Sequence, residues 1–195
     1  MLNNQHPMSK SERRAAKSHI KPRTSNIPNA NPADVASIDA IISAVYDGIS
    51  GPAGKKRDWD RERSLFIPGA RLIPTAKDAG VGDANLATGR VHPNGGLAPQ
   101  ILDVDGFIAR AEPLFEKEGF YEKEIARRTE QFGHIAHVWS TYESRHKADD
   151  PEPFMRGVNS IQLFYDGSRW WIVTIYWQQE STEHLIPEKY LETKG

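Results

Sequence analysis

Glu143 and Arg156 sit on neighbouring segments of the chain and could set a carboxylate beside an orienting cation, the arrangement a general base needs. The same two residues also make an ordinary structural ion pair. Other chemistries find less support. The chain has no cysteine, which removes disulfides, thiol catalysis and thiolate-held metals. His134 and His137 are three residues apart, so on a strand they face opposite sides and cannot share a metal. His92, His146 and His184 fall in loops or the tail, and no G-x-S-x-G nucleophile turn occurs. Gly80-x-Gly82 and Gly95-Gly96 lack a following Lys-Ser/Thr and do not read as phosphate cradles. No metal and no cofactor are expected.

Charge is unevenly spread. The 195 residues carry a net charge of −1, yet Lys10, Arg13, Arg14, Lys17, Lys21 and Arg23 face only Glu12 in the first 30. The rest of the chain is therefore acidic, a poor match for phosphate backbones, and nucleic acid is not an expected partner. Residues 1–30 read as a disordered basic tail, because they hold too few large apolar side chains to offset the entropy of ordering. No run approaches the about 18 apolar residues of a membrane span, and no apolar segment follows the basic residues as in a secretory signal. A cytoplasmic location is the default.

From residue 31 the pattern changes. Asn31 and Pro32 start a helix that carries Val35, Ile38, Ile41, Ile42, Val45 and Ile49 on one stripe. Asp58 caps a short second helix through Trp59 and Phe66, broken by Pro68-Gly69. Strands are expected at 70–75 and 96–102, with an irregular loop between. Asp103 or Asp105 caps a further helix, in which Pro113 should produce a kink or a weak point. Long strands linked as hairpins follow over 120–132, 134–145, 156–165 and 169–178, rich in aromatic and β-branched residues, the last two joined at Asp166-Gly167-Ser168. Helices first and a long meander after predict an α+β fold, a curved antiparallel sheet wrapped around N-terminal helices. The domain spans 31–182, and 183–195 reads as a polar extension with Leu185, Ile186 and Tyr190 as its apolar contacts.

The segment RGVNSIQLFYDGSRWWIVTIYWQ resembles the closing hairpin of the nuclear transport factor 2-like superfamily, with Asp166, Gly167, Trp170 and Ile172 at the matching places. Trp59-Asp60 and FIPGARLI (66–73) are similar to the helix and first strand of SnoaL-like members. The resemblance covers roughly residues 33–180. It implies a cystatin-like cone with a pocket at its open end, and frequent dimers packed through the sheet. It also makes Asp60 the position to watch as catalytic acid or base, although Arg61 and Arg63 beside it also suit a capping or salt-bridging carboxylate. It implies no single activity, since the superfamily includes isomerases, cyclases, dehydratases, epoxide hydrolases and transport adaptors.

A two-residue turn at Gly167-Ser168 pairs Tyr165 with Trp170, Leu163 with Ile172, Ile161 with Thr174 and Asn159 with Tyr176 on one face. The polar far end of that face, Asn159, Thr174 and Tyr176, is the expected ligand site, with Trp59, Arg71 and Arg156 at its mouth. One of Tyr142 and Glu143 faces inward from the neighbouring strand. The opposite face carries Trp171, Val173, Ile175 and Trp177, and is expected to pack against a second copy or under the chain termini. Three functions fit. The first is binding of a small apolar or amphipathic molecule. The second is a cofactor-free isomerase, cyclase or hydrolase using Asp60 or Glu143. The third is a dimeric interaction module.

Overall fold

The computed structural model describes residues 27–75, 90–91, 97–98 and 100–192. The basic tail up to residue 26, His92 and the glycines at 80, 82, 95 and 96 lie outside them. The elements are α1 (Pro32–Val35), α2 (Ile38–Ile49), α3 (Trp59–Ser64), β1 (Phe66–Pro74), β2 (Arg90–Val91), β3 (Leu97–Ala98), α4 (Val104–Glu118), β4 (Tyr121–Phe132), β5 (Ile135–Arg145), β6 (Met155–Tyr165) and β7 (Trp170–Gln179). A 3-10 turn, Glu188–Tyr190, follows.

Capping explains the helix starts. Asn31, Ser37, Asp58 and Asp103 each accept a backbone N–H two or three residues on. Ser37 is why the expected single first helix is two: its side chain caps Ala40 and restarts the helix. Helix α4 runs through Pro113 without a break and stops at Gly119, whose φ of +74° suits glycine. A Cβ there would lie 2.6 Å from the His146 carbonyl oxygen.

The main sheet has the order β1-β7-β6-β5-β4. Strands β4 to β7 form the expected antiparallel meander. The sheet as a whole is mixed, because β1 pairs with β7 in parallel. Strand β1 also begins earlier than expected and includes Pro68-Gly69, which an edge strand tolerates because one side of its backbone is unpaired. The pair β2–β3 is a separate two-stranded ribbon. Leu102 bridges to Leu72 beyond it.

Helix α2 packs against both β4 and β7. Those strands stand three spacings apart, about 14 Å, and one helix about 10 Å across touches both only where the sheet curls over it. The α+β class and the wrapped sheet expected from the order of elements are therefore what the chain adopts. The core lies under the curl, with Ile41, Ile42, Leu65, Phe66, Phe115 and Ile172 all nearly inaccessible.

Two bulges decide which side chains enter that core. Val173 is an extra residue between the pairs Leu163–Ile172 and Gln162–Thr174. Past it, Ile161 pairs with Ile175 and Asn159 with Trp177. A one-residue slip turns every later side chain to the other face. Thr174 and Tyr176 therefore face outward, whereas Ile175 and Trp177 face inward, the reverse of the expected register. The second bulge, at Ile125, puts Glu122, Glu124 and Arg127 on the helix side of β4.

Among the described residues, no helix is long and apolar enough to cross a membrane.

Candidate functional site

Beneath the curled sheet lies a cavity, walled by Ile49 and Val45 of α2, Leu72 of β1, Phe107 and Phe115 of α4 and Phe120 after it. Met155, Ile161, Ile175 and Trp177 close it from the sheet. It is narrow, with a volume of about 70 Å³. That is space for a handful of waters or a slender molecule, and a bulky ring system would need side chains to move.

Five polar side chains break the apolar wall: Tyr46, Glu62, Glu122, Tyr142 and Asn159. Glu62 comes from α3 and is 1% exposed. Its Oε2 is buried with no hydrogen-bond partner. Gly48 of α2 makes the room, since a Cβ there would lie 2.2 Å from that oxygen. Burial pushes the Glu62 carboxyl well up, and the nearby charge of Arg61 offsets this in part. Arg61 itself is committed to Asp34 at 2.7 Å and Asp47 at 2.5 Å.

Glu122 stands in the wall between the cavity and a lateral groove along α2 and β4, and lines both. Burial pushes its carboxyl up to about 7, against the lowering effect of a 2.8 Å hydrogen bond donated by Ser144. Ser144 is wholly buried. On β5 the alternation settles which of two neighbours faces in. Tyr142 does, 1% exposed and with an unpartnered hydroxyl. Gly157 opposite leaves space for it, as a Cβ there would meet the Tyr142 oxygen at 2.4 Å. Burial, then the charge of Glu122, raise this phenol and keep it protonated.

Tyr46 and Asn159 begin a hydrogen-bonded chain that leaves the cavity. The Ser140 hydroxyl donates to Glu124 at 2.5 Å. Its single proton being used, it accepts from Tyr46 at 2.7 Å, and Tyr46 accepts from the Asn159 amide at 2.9 Å. Arg127 holds Glu124 at 2.6 Å and reaches Asp39.

The expected site residues divide accordingly. Tyr142 and Asn159 line the cavity. Thr174 and Tyr176 lie on the outer face, in a shallow groove with Ile73, Ile101, Ser160 and Gln162. Arg71, also outside, donates to the carbonyls of Gly69 and Ala70. Trp59 is buried beside the cavity, its Nε1 donating to Glu112 at 3.0 Å and its ring 6.3 Å from that of Phe115. Glu143 turns away from the cavity, as its position next to Tyr142 demands, and pairs with Arg145 at 2.5 Å and Lys123 at 2.9 Å. The Arg145 hydrogen bond, chiefly, holds its carboxyl below the usual range. Arg156 lies opposite Glu143 in the ladder, but its ion pair is with Glu180 at 3.6 Å. Asp60 is exposed and pairs with Arg63 at 3.0 Å. Neither expected catalytic carboxylate therefore reaches the cavity.

The two carboxyls that do, Glu62 and Glu122, went unnoticed in the sequence. Glu62 had a signal: it lies one helical turn from Trp59 and so shares its buried face. Glu122 had none, because its facing depends on the Ile125 bulge. His134 Nδ1 donates to the Tyr165 carbonyl oxygen at 2.8 Å, and His137 Nε2 meets the Ser160 hydroxyl at 2.9 Å. No group of three His, Asp or Glu side chains among the described residues is placed to hold a metal ion.

Similar solved structures include an NTF2-like protein of unknown function from Shewanella baltica OS155, with TM-score 0.44 and 15% identity over 73% of this chain and 90% of the other. Another, from Methylobacillus flagellatus KT, gives TM-score 0.39 and 15% identity over 74% of this chain and 95% of its own. No family model matches the chain, and no curated protein does.

Proposed function

We propose that this chain binds a small, slender, largely apolar molecule in the cavity under the sheet. The observation that carries the reading is the pair of unpartnered buried polar groups, Glu62 Oε2 and the Tyr142 hydroxyl, on the wall of an apolar chamber. Leaving such a group unpaired costs about 1–3 kcal/mol, so a fold keeps two of them where a ligand supplies the partner. The outer groove with Thr174 and Tyr176 is a weaker candidate, being shallow and lacking such groups.

A thermal-shift screen with slender lipophilic compounds tests this. A ligand at about a hundred times its dissociation constant should add about 2.7 kcal/mol. The shift should vanish on Ile49→Phe, which fills the cavity, and survive Thr174→Ala and Tyr176→Ala. Survival in the first variant and loss in the others would move the site to the outer face.

Glu122 supports a second reading, proton transfer on a bound substrate, because a carboxyl near 7 can give or take a proton at neutral pH. Any turnover found should then be lost in Glu122→Gln. Pairing with a second copy is a further part of the proposal, with a changed surface. Trp171 and Val173 remain on the outer face with Thr174 and Tyr176, while the inward Ile175 and Trp177 cannot take part. The 3-10 turn covers one part of that face, where Tyr190 lies 5.3 Å from the Trp139 ring and accepts from Thr141. In sedimentation velocity the parent should be a dimer and Trp171→Glu a monomer; a monomeric parent would sink the pairing.

A further inference from the structure

The charged side chains on the cavity wall are both acids. Glu62 and Glu122 line it, and among the described residues no Lys, Arg or His does. The remaining wall is rich in rings: Tyr46, Phe107, Phe115, Phe120, Tyr142 and Trp177. Ring faces are negative and attract cations, more strongly where water is excluded. An anionic ligand would meet two carboxyls and no counter-charge. A hydrocarbon would leave Glu62 Oε2 unpaired. We propose that the cavity takes a positively charged apolar molecule, an amine or quaternary ammonium, with its cationic head on Glu62 and Glu122 as the second acidic wall. This rests on the reading of the cavity as a ligand site.

The neighbouring cations do not neutralise these acids. Arg61 turns to Asp34 and Asp47. Arg57, the one buried basic residue among those described, lies 5.8 Å from the Phe115 ring centre but spends its N–H groups on backbone carbonyls. Lys123 and Arg145, on the lateral-groove side of Glu122, are held by Glu143. The groups facing Glu122 from α2 and β5 are the neutral phenols of Tyr46 and Tyr142 and the Ser144 hydroxyl, with Glu124 two residues along its own strand. Gly48, in the last turn of α2, leaves room for the Glu62 carboxyl, as a Cβ there would lie 2.2 Å from its Oε2. An ordinary apolar core would place a leucine at 62 and an alanine at 48.

The test uses three probes with the full chain: phenyltrimethylammonium, tert-butylbenzene of nearly the same shape but no charge, and acetophenone as a neutral hydrogen-bond acceptor. Dissociation constants are measured by titration at pH 5.5 and pH 8. At pH 8 the cation should bind at least about tenfold tighter than its uncharged isostere. The preference should shrink at pH 5.5, where the carboxyls hold their protons. Binding of the cation near pH 6 should release protons, seen as a dependence of the heat on the buffer's ionisation enthalpy. Glu62→Gln should bring cation and isostere to within about twofold while leaving tert-butylbenzene binding intact. Equal or tighter binding of acetophenone or tert-butylbenzene in the parent would overturn the charge preference and leave the cavity reading standing. Failure of all three probes to bind would overturn both.

Discussion

Arg57→Leu is expected to destabilise the fold by about 3–5 kcal/mol, the loss of several hydrogen bonds from a charged donor to carbonyl oxygens. Arg57 is 8% exposed and has no carboxylate partner. Its Nε donates to the Ile49 carbonyl at 2.9 Å, its Nη2 to that of Gly51 at 2.6 Å, and its Nη1 to those of Lys55 at 2.5 Å and Pro52 at 3.3 Å. These carbonyls belong to the end of α2 and the loop leading to α3, where helix geometry leaves oxygens without partners. One guanidinium thus stands in for a C-terminal cap and ties together the segment that aims Glu62. Leucine removes every guanidinium donor at once; the Gly51 and Pro52 oxygens keep the N–H groups of Phe120 and Lys55, whereas those of Ile49 and Lys55 lose the donor that Arg57 supplies. Arg57→Lys should recover only part of the loss, because an ammonium cannot reproduce the planar fork. Urea unfolding of the three proteins reads the effect directly. A leucine variant within about 1 kcal/mol of the parent would mean that water replaces the guanidinium here.

The sequence carried the elements better than their facing. Capping residues, the helical stripe of α2 and the Asp166-Gly167 turn are local signals, and they located the helices and the last hairpin to within a residue or two. Tyr165–Trp170 and Leu163–Ile172 pair as the turn dictates. Past Val173 the reading fails, because a bulge is a tertiary compromise with no sequence mark of its own: a β-branched residue suits a regular strand equally well. That single residue moved Thr174 and Tyr176 out of the expected site and Ile175 and Trp177 into it. The parallel pairing of β1 was hidden for a similar reason, since its partner lies about a hundred residues away. Asp60 was favoured over Glu62 by family resemblance, whereas helical geometry alone favours Glu62. Asn159 faces the cavity as expected because β6 carries no bulge of its own and alternation holds along it; the choice between Tyr142 and Glu143, open in the sequence, falls to Tyr142 on the equally regular β5.

Between about pH 4.5 and 7 this protein should lose stability as the pH rises, insofar as its cavity carboxyls set the trend. The Glu122 carboxyl rises from 4.5 in the open chain to about 7 in the fold, and Glu62 rises as well. In that window the native state holds protons that the unfolded state has released, so raising the pH favours unfolding. The penalty is absent below the unfolded value and complete above the folded one. For Glu122 alone the shift corresponds to at most about 3 kcal/mol, reduced by the access that solvent has from the lateral groove. Three groups act otherwise. His137 is lowered by burial, so below its open-chain value of 6.5 it costs stability as the pH falls and opposes the trend. Glu143 and Asp166, both lowered by hydrogen bonds, lose their contribution only as the pH falls below the usual carboxylate range. The cavity term is isolated by substitution. Glu122→Gln keeps the acceptor for Ser144 and cannot ionise, so it should be more stable than the parent at pH 8 and close to it at pH 5. Glu62→Gln should move the same way, and the double variant should show a flatter profile than either. Urea unfolding across pH 5 to 8 reads all four proteins. Parallel profiles for parent and double variant would show that neither carboxyl changes its proton affinity on folding, and the acidic cavity would then be an ordinary hydrated cleft.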